Sequence, residues 1–194
     1  SDFTGLDWSE SLARPLAHYG ELLGLNGYHF TQQNFIHWLN DIITTPFITD
    51  VKADSPVCIS ALPMHKTLRE SEFYFPMNTG SSAGLAKLLT DHRNKNRKGK
   101  PWNEHIVAAN LPSYKKLFGM MHGFIDLVFE SDGKYYVCDY KSTHLGDKFS
   151  DYNQQALKEN IESQYYDLQY LIYSLALHRY LKKSLPDYQA SKHF

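Results

Sequence analysis

Cysteine is scarce in this chain of 194 residues: only Cys58 and Cys138 occur, 80 positions apart. That spacing gives no metal clip and no disulfide framework, which suits a reducing cytoplasm. No run of about eighteen apolar residues is present, so no membrane-spanning helix is expected. The opening residues Ser1-Asp2-Phe3-Thr4-Gly5 carry neither a basic region nor an apolar stretch, so no secretory signal is expected there. The charge balance lacks a dominant sign. A formal net charge of −1 denies the whole molecule a basic footprint for nucleic acid, and any such affinity must come from a local patch or a partner. No Gly-x-x-x-x-Gly-Lys-Ser/Thr loop occurs, so no nucleotide site is expected. Internal repeats and low-complexity tracts are also absent.

The chain has an ordinary share of apolar residues, 42%, enough for one domain with a core. Residues 9–24 and 31–45 read as helices, the second with Thr31 as N-cap and an apolar stripe of Phe35, Ile36, Leu39, Ile42 and Ile43. Pro46, Pro56 and Pro63 break the chain into a loop with a short strand. Glu70–Pro76 reads as a strand ended by its proline, 82–92 as a helix, and 112–118 as another short one. The basic stretch from Arg93 to Lys100 reads as a solvated loop able to contact phosphates. Ser150 can cap a helix running to Ser163. Residues 164–183 form the clearest helix, with Leu168, Leu171, Ile172, Leu175 and Leu181 on its buried side. Strands flanked by helices argue for a mixed α/β domain. The expected organisation is one domain over 1–194, with a helical part to residue 65 and the chemistry in 66–194.

The densest signal is Gly123-Phe-Ile-Asp126-Leu followed by Asp139-Tyr-Lys141. Asp132-Gly133 between apolar runs is a hairpin turn, because both residues tolerate positive φ. Ser131 then pairs with Lys134, and the same register sets Asp126 opposite Asp139. Opposed residues on one face have Cβ atoms roughly 4.5–5.5 Å apart, and like charges there repel. A cation between them would remove that repulsion. Lys141, two residues beyond Asp139, shares its face by strand alternation. A bare Asp-x-Lys tripeptide would be a surface ion pair; two opposed carboxylates on apolar strands suit a hard divalent metal beside a phosphate. Cys138 points to the other face and reads as buried and inert.

With Tyr166-Asp-Leu-Gln169-Tyr-Leu-Ile-Tyr173, these segments closely resemble the nuclease domains of exodeoxyribonuclease V-type helicase–nucleases, within the PD-(D/E)XK nuclease superfamily. The likeness is dense from Gly123 to about Tyr188. It implies a restriction-endonuclease-like α/β core with a mixed central sheet flanked by helices, and a bacterial, cytoplasmic enzyme that hydrolyses DNA at double-strand ends. By the same resemblance Asp126, Asp139 and the Tyr140 carbonyl are metal ligands, Lys141 is the catalytic lysine, and Gln169, Tyr173 and Tyr166 lie on a helix facing the site and the DNA. Glu70, or Glu72 on the same strand, matches a family glutamate. The implied cofactor is Mg²⁺, with Mn²⁺ or Ca²⁺ able to substitute in binding. The implied partners are single-stranded and duplex DNA ends and the other subunits of the complex, with no membrane. Relatives holding an iron–sulfur cluster need four cysteines and this chain has two, which argues against that branch. The family's Gly-x-x-x-His helix has no match: His37 follows Gln33 rather than glycine and reads as a structural histidine. The chain is therefore expected to be a fragment that begins after that histidine and ends before the last strand. The rival reading is an inactive nuclease-fold module that binds DNA or a partner subunit.

Overall fold

A computed structural model describes residues 32–47, 57–77, 80–97, 111–112 and 117–194, and the chain divides into two compact units, Ser1–Thr67 and Leu68–Phe194. In the first, helix α1 (Gln32–Thr44) buries Ile43, and two 3-10 turns at Ile59–Ala61 and Met64–Lys66 follow. Val57, Ile59 and Leu62 are buried there, and the Phe47 N–H donates to the Val57 carbonyl at 3.0 Å. His37 is exposed, and of the expected apolar stripe Ile42 is 41% exposed. The expected helix at 9–24 and the Thr31 cap lie outside the described residues.

The second unit is built on a three-stranded sheet in the order β1 (Thr67–Met77), β2 (Gly119–Ser131), β3 (Lys134–Cys138). Strand β1 runs through Pro76 rather than stopping at it. An edge strand tolerates proline because one side of its backbone makes no ladder bonds. Asp132 (φ 51°) and Gly133 (φ 75°) form the hairpin turn, and the Glu130 carboxylate accepts the Gly133 N–H at 2.8 Å. The antiparallel register pairs Ser131 with Lys134 and continues to Leu127 opposite Cys138, as the turn chemistry predicts. The ladder ends there, one step short of the two aspartates.

Helix α2 (Ser82–Arg97) extends five residues beyond the expected end, through the start of the basic stretch. Arg93 is not a phosphate-seeking loop residue: it is 2% exposed and bonded to Asp167. Residues 98–110, and 113–116 of the short helix expected at 112–118, lie outside the description. After a loop from Asp139 and a 3-10 turn at Phe149–Tyr152, helix α3 (Gln154–Ser163) starts at Asn153. Asn153, and not Ser150, caps it, its side chain accepting the N–H groups of Gln155 and Ala156 at 3.1 and 3.0 Å. Tyr165, at φ 57°, separates α3 from α4 (Tyr166–Ser184), and a short α5 (Ala190–His193) closes the unit.

Ile125, Val128, Leu177 and Leu181 form the core between sheet and α4, with Phe73, Tyr135, Val137 and Tyr173 packed around it. Leu175, expected inside, is 45% exposed, and Ala176 and Leu177 are buried instead. Leucines lie on several faces of α4, so apolar spacing alone does not say which one meets the sheet. The inward row is Gln169, Tyr173, Leu177 and Leu181, each four residues apart. Its apolar end packs in the core and its polar end reaches the end of β3.

Candidate active site

The two aspartates reach one place by different routes. Asp126 lies within β2, half-buried, just before the stretch in which successive residues are all buried. Before it His122 and Phe124 face out, whereas Ile125 and Val128, three apart, share one core cluster. Its Oδ2 accepts the Tyr140 backbone N–H at 2.8 Å, tying β2 to the chain just past the end of β3. Asp139 is the first residue beyond β3, its side chain 18% exposed. Its Oδ1 accepts from Gln169 Nε2 at 3.2 Å, and its Oδ2 forms an ion pair with Lys141 Nζ. That Oδ2 is buried and meets the Lys141 ammonium.

Gln169 also donates to the Tyr173 hydroxyl at 2.7 Å, and the Tyr173 ring meets Phe73 edge-on at 5.8 Å. The chain Phe73–Tyr173–Gln169–Asp139 therefore runs from the core of β1 to the candidate metal ligand. Lys141 lies over the Tyr166 ring, with Nζ 4.7 Å from its centroid, and the Tyr166 hydroxyl is 3.3 Å from Thr143 Oγ1. Thr143 is a residue that sequence reasoning missed, although its place two residues after Lys141 was a visible cue. The Cys138 thiol is pushed up by burial and by the nearby Asp126 and Asp139 carboxylates, so it stays protonated and unreactive. Burial likewise raises the Tyr140 phenol.

Neither glutamate of β1 joins this group. Glu70 is exposed and has φ 48°, a left-handed kink within the strand. Glu72 Oε1 accepts from the Tyr74 hydroxyl at 2.8 Å and from His122 Nε2 at 3.0 Å, and these bonds hold its carboxyl below the usual range. Among the described residues no group of three or more His, Cys, Asp and Glu side chains is placed to hold a metal. What does suit one is a pair of hard oxygen donors, Asp126 and Asp139, the latter with a buried Oδ2 whose charge Lys141 balances. Mg²⁺ keeps several waters and needs few protein ligands, so two carboxylates and a backbone carbonyl fit it.

A second cluster, with no signal in the sequence, holds the helix that carries Gln169. Arg93 of α2 donates from Nε to Asp167 Oδ2 at 2.5 Å, and from its Nη2 atom to Asp167 Oδ1 at 3.0 Å and the Glu162 carbonyl at 2.8 Å. Burial opposes the Arg93 charge, but the hydrogen bond and charge of Asp167 outweigh it and the guanidinium stays ionised. His92, one residue before it, hydrogen-bonds the Tyr170 hydroxyl. Helix α2 is thereby pinned to the first turn of α4.

A family model described as the PD-(D/E)XK nuclease superfamily matches residues 68–192. Among curated proteins, the RecBCD enzyme subunit RecB of Haemophilus influenzae is 36% identical over 163 residues, covering 81% of this chain and 12% of that protein. Its Escherichia coli counterpart is 34% identical over 177 residues, 90% of this chain and 14% of that protein. The Mycobacterium tuberculosis counterpart is 31% identical over 151 residues, 73% and 14%. The chain thus spans only about an eighth of the length of the relatives it matches.

Proposed function

The chain belongs to the PD-(D/E)XK nuclease superfamily, and from that premise we propose that it is the DNA-cleaving part of a RecB-type subunit. Its substrate would be DNA, single strands and duplex ends, processed during double-strand-break repair. Its partners would be the other subunits of a bacterial helicase–nuclease. Residues 68–192 carry this chemistry, and the whole chain is read as one nuclease domain cut from a longer protein.

The observation that carries the reading is the treatment of Asp139. One carboxylate is oriented by Gln169, paired with Lys141 and set beside Asp126 through the Tyr140 N–H. A surface ion pair would not recruit an amide from a helix thirty residues away. Asp126, Asp139 and the Tyr140 carbonyl would hold a divalent cation, which we take to be Mg²⁺. Such a cation, when bound, polarises the scissile phosphate and makes a coordinated water acidic. Lys141 orients the attacking water and offsets the charge that develops on the phosphate. Tyr166 and Thr143 keep the lysine aimed. Gln169 fixes the carboxylate so that little reorganisation is needed when phosphate arrives. The missing third acidic ligand among the described residues favours one alternative, an inactive module that binds DNA or partner subunits.

Titration with Mn²⁺, followed by electron paramagnetic resonance, separates the two. We expect saturable binding that Asp126→Ala and Asp139→Ala each weaken at least tenfold. Binding that is absent, or indifferent to both substitutions, would defeat the metal-dependent reading.

A further inference from the structure

Beyond the cleavage site, β1 and the C-terminal half of α4 enclose a groove of about 630 Å³, in the range of small-ligand sites. Its floor is apolar, made in part by Phe75, Ala176 and Leu177. Its rim carries Arg179, Tyr180 and Lys183, all exposed, with Tyr180 57% accessible. Arg179 lies over the Phe75 ring at 5.3 Å, which holds its charge at the mouth. No carboxylate among the described residues is within ion-pair distance of Arg179 or Lys183. Glu72, the acid that also lines the groove, is bonded to Tyr74 and His122. The helix dipole accounts for a lysine in the last turn, but not for Arg179 set farther back against an aromatic ring.

We propose that this groove holds single-stranded DNA beside the cleavage site, an inference that rests on the nuclease reading. Two cations one helical turn apart match successive phosphates of an extended strand. Tyr180 offers a ring face on which an unpaired base can stack, and the apolar floor accepts sugar and base edges. A line of contacts links groove and site: Phe73 lines the groove and packs on Tyr173, which accepts a hydrogen bond from Gln169. In a chain whose net charge is −1, this supplies the local patch that nucleic-acid affinity requires.

The test is fluorescence anisotropy of a labelled oligothymidylate in EDTA, across a salt series, so that binding is read without chemistry. The Arg179→Ala/Lys183→Ala variant should bind about tenfold more weakly at low salt. Two phosphate contacts at roughly 0.7 each should flatten its plot of log K against log salt by about 1.4. Tyr180→Ala should weaken binding with the salt slope unchanged. Lys141→Ala should lose cleavage yet keep its dependence on Arg179 and Lys183, so failure of the groove and failure of the nuclease reading give different results. If Arg179→Ala unfolds the chain by uncovering Phe75, Lys183→Glu alone carries the test. Unchanged affinity and slope in a folded variant would overturn the proposal. So would normal DNA binding with lost self-association in sedimentation, which would assign the groove to a second copy of the chain.

Discussion

Lys141 is held by an aromatic face rather than by charge alone. Its ammonium sits over Tyr166, whose hydroxyl is near Thr143. A cation–π contact of this kind is worth about 0.5–2 kcal/mol. Tyr166→Ala should therefore lower kcat about two- to thirtyfold with little change in KM, whereas Tyr166→Phe, which keeps the ring, should stay near the parent rate. Steady-state cleavage kinetics distinguish the two. Arg93 presents the opposite case, a charge used for structure. Arg93→Ala leaves Asp167 buried and unpaired, and breaking such a pair costs about 3–5 kcal/mol. Arg93→Leu combined with Asp167→Leu should recover much of that loss in urea unfolding, because neither charge then remains uncompensated.

At the scale of elements, the β2–β3 hairpin was legible and the helices less so. Asp132-Gly133 sets the register by turn chemistry, a local property that needs no knowledge of the rest of the fold. The end of α2 was not legible, because residues 93–97 are polar or basic and show no apolar period. What extends the helix is a buried ion pair to Asp167, 74 residues away. The inward face of α4 was misjudged at Leu175 for a related reason: leucines occupy more than one face, and the sheet selects the row that includes Tyr173 and Leu177. Gly123 shows how tightly β2 sits on β1. A Cβ there would lie 2.8 Å from the Phe73 ring. Gly123→Ala should displace Phe73 and, through Tyr173, disturb Gln169, so cleavage should fall by more than the melting temperature alone explains. Thermal unfolding and single-turnover rates on the same preparation would check this.

At the scale of the molecule, the candidate site joins pieces that lie far apart in sequence: residue 126 in one strand, 139 to 143 beyond the next, and 166 to 173 on a helix. The spacing of Asp126, Asp139 and Lys141 was readable as chemistry because a hairpin places them. Gln169, Tyr173 and Tyr166 were readable only through resemblance to a family, since their spacing also describes an ordinary helix edge. The geometry adds what neither route held, the Gln169–Asp139 hydrogen bond and the ring beneath Lys141. The glutamates of β1 remain outside this cluster, and Glu72 is engaged by Tyr74 and His122. If Glu72 acts only in that exposed network, Glu72→Gln should leave Mn²⁺ affinity within about twofold, unlike Asp139→Ala.

On the proposed reading, Lys141 and the two aspartates hydrolyse DNA. End-labelled single-stranded and linear duplex DNA, incubated with Mg²⁺ and either the chain or its Lys141→Ala variant, tests it most directly. The parent chain should give products, the variant at least a hundredfold fewer, and EDTA should abolish them. Equal cleavage by both proteins, or a folded parent chain that binds Mn²⁺ yet cuts neither substrate, would contradict it.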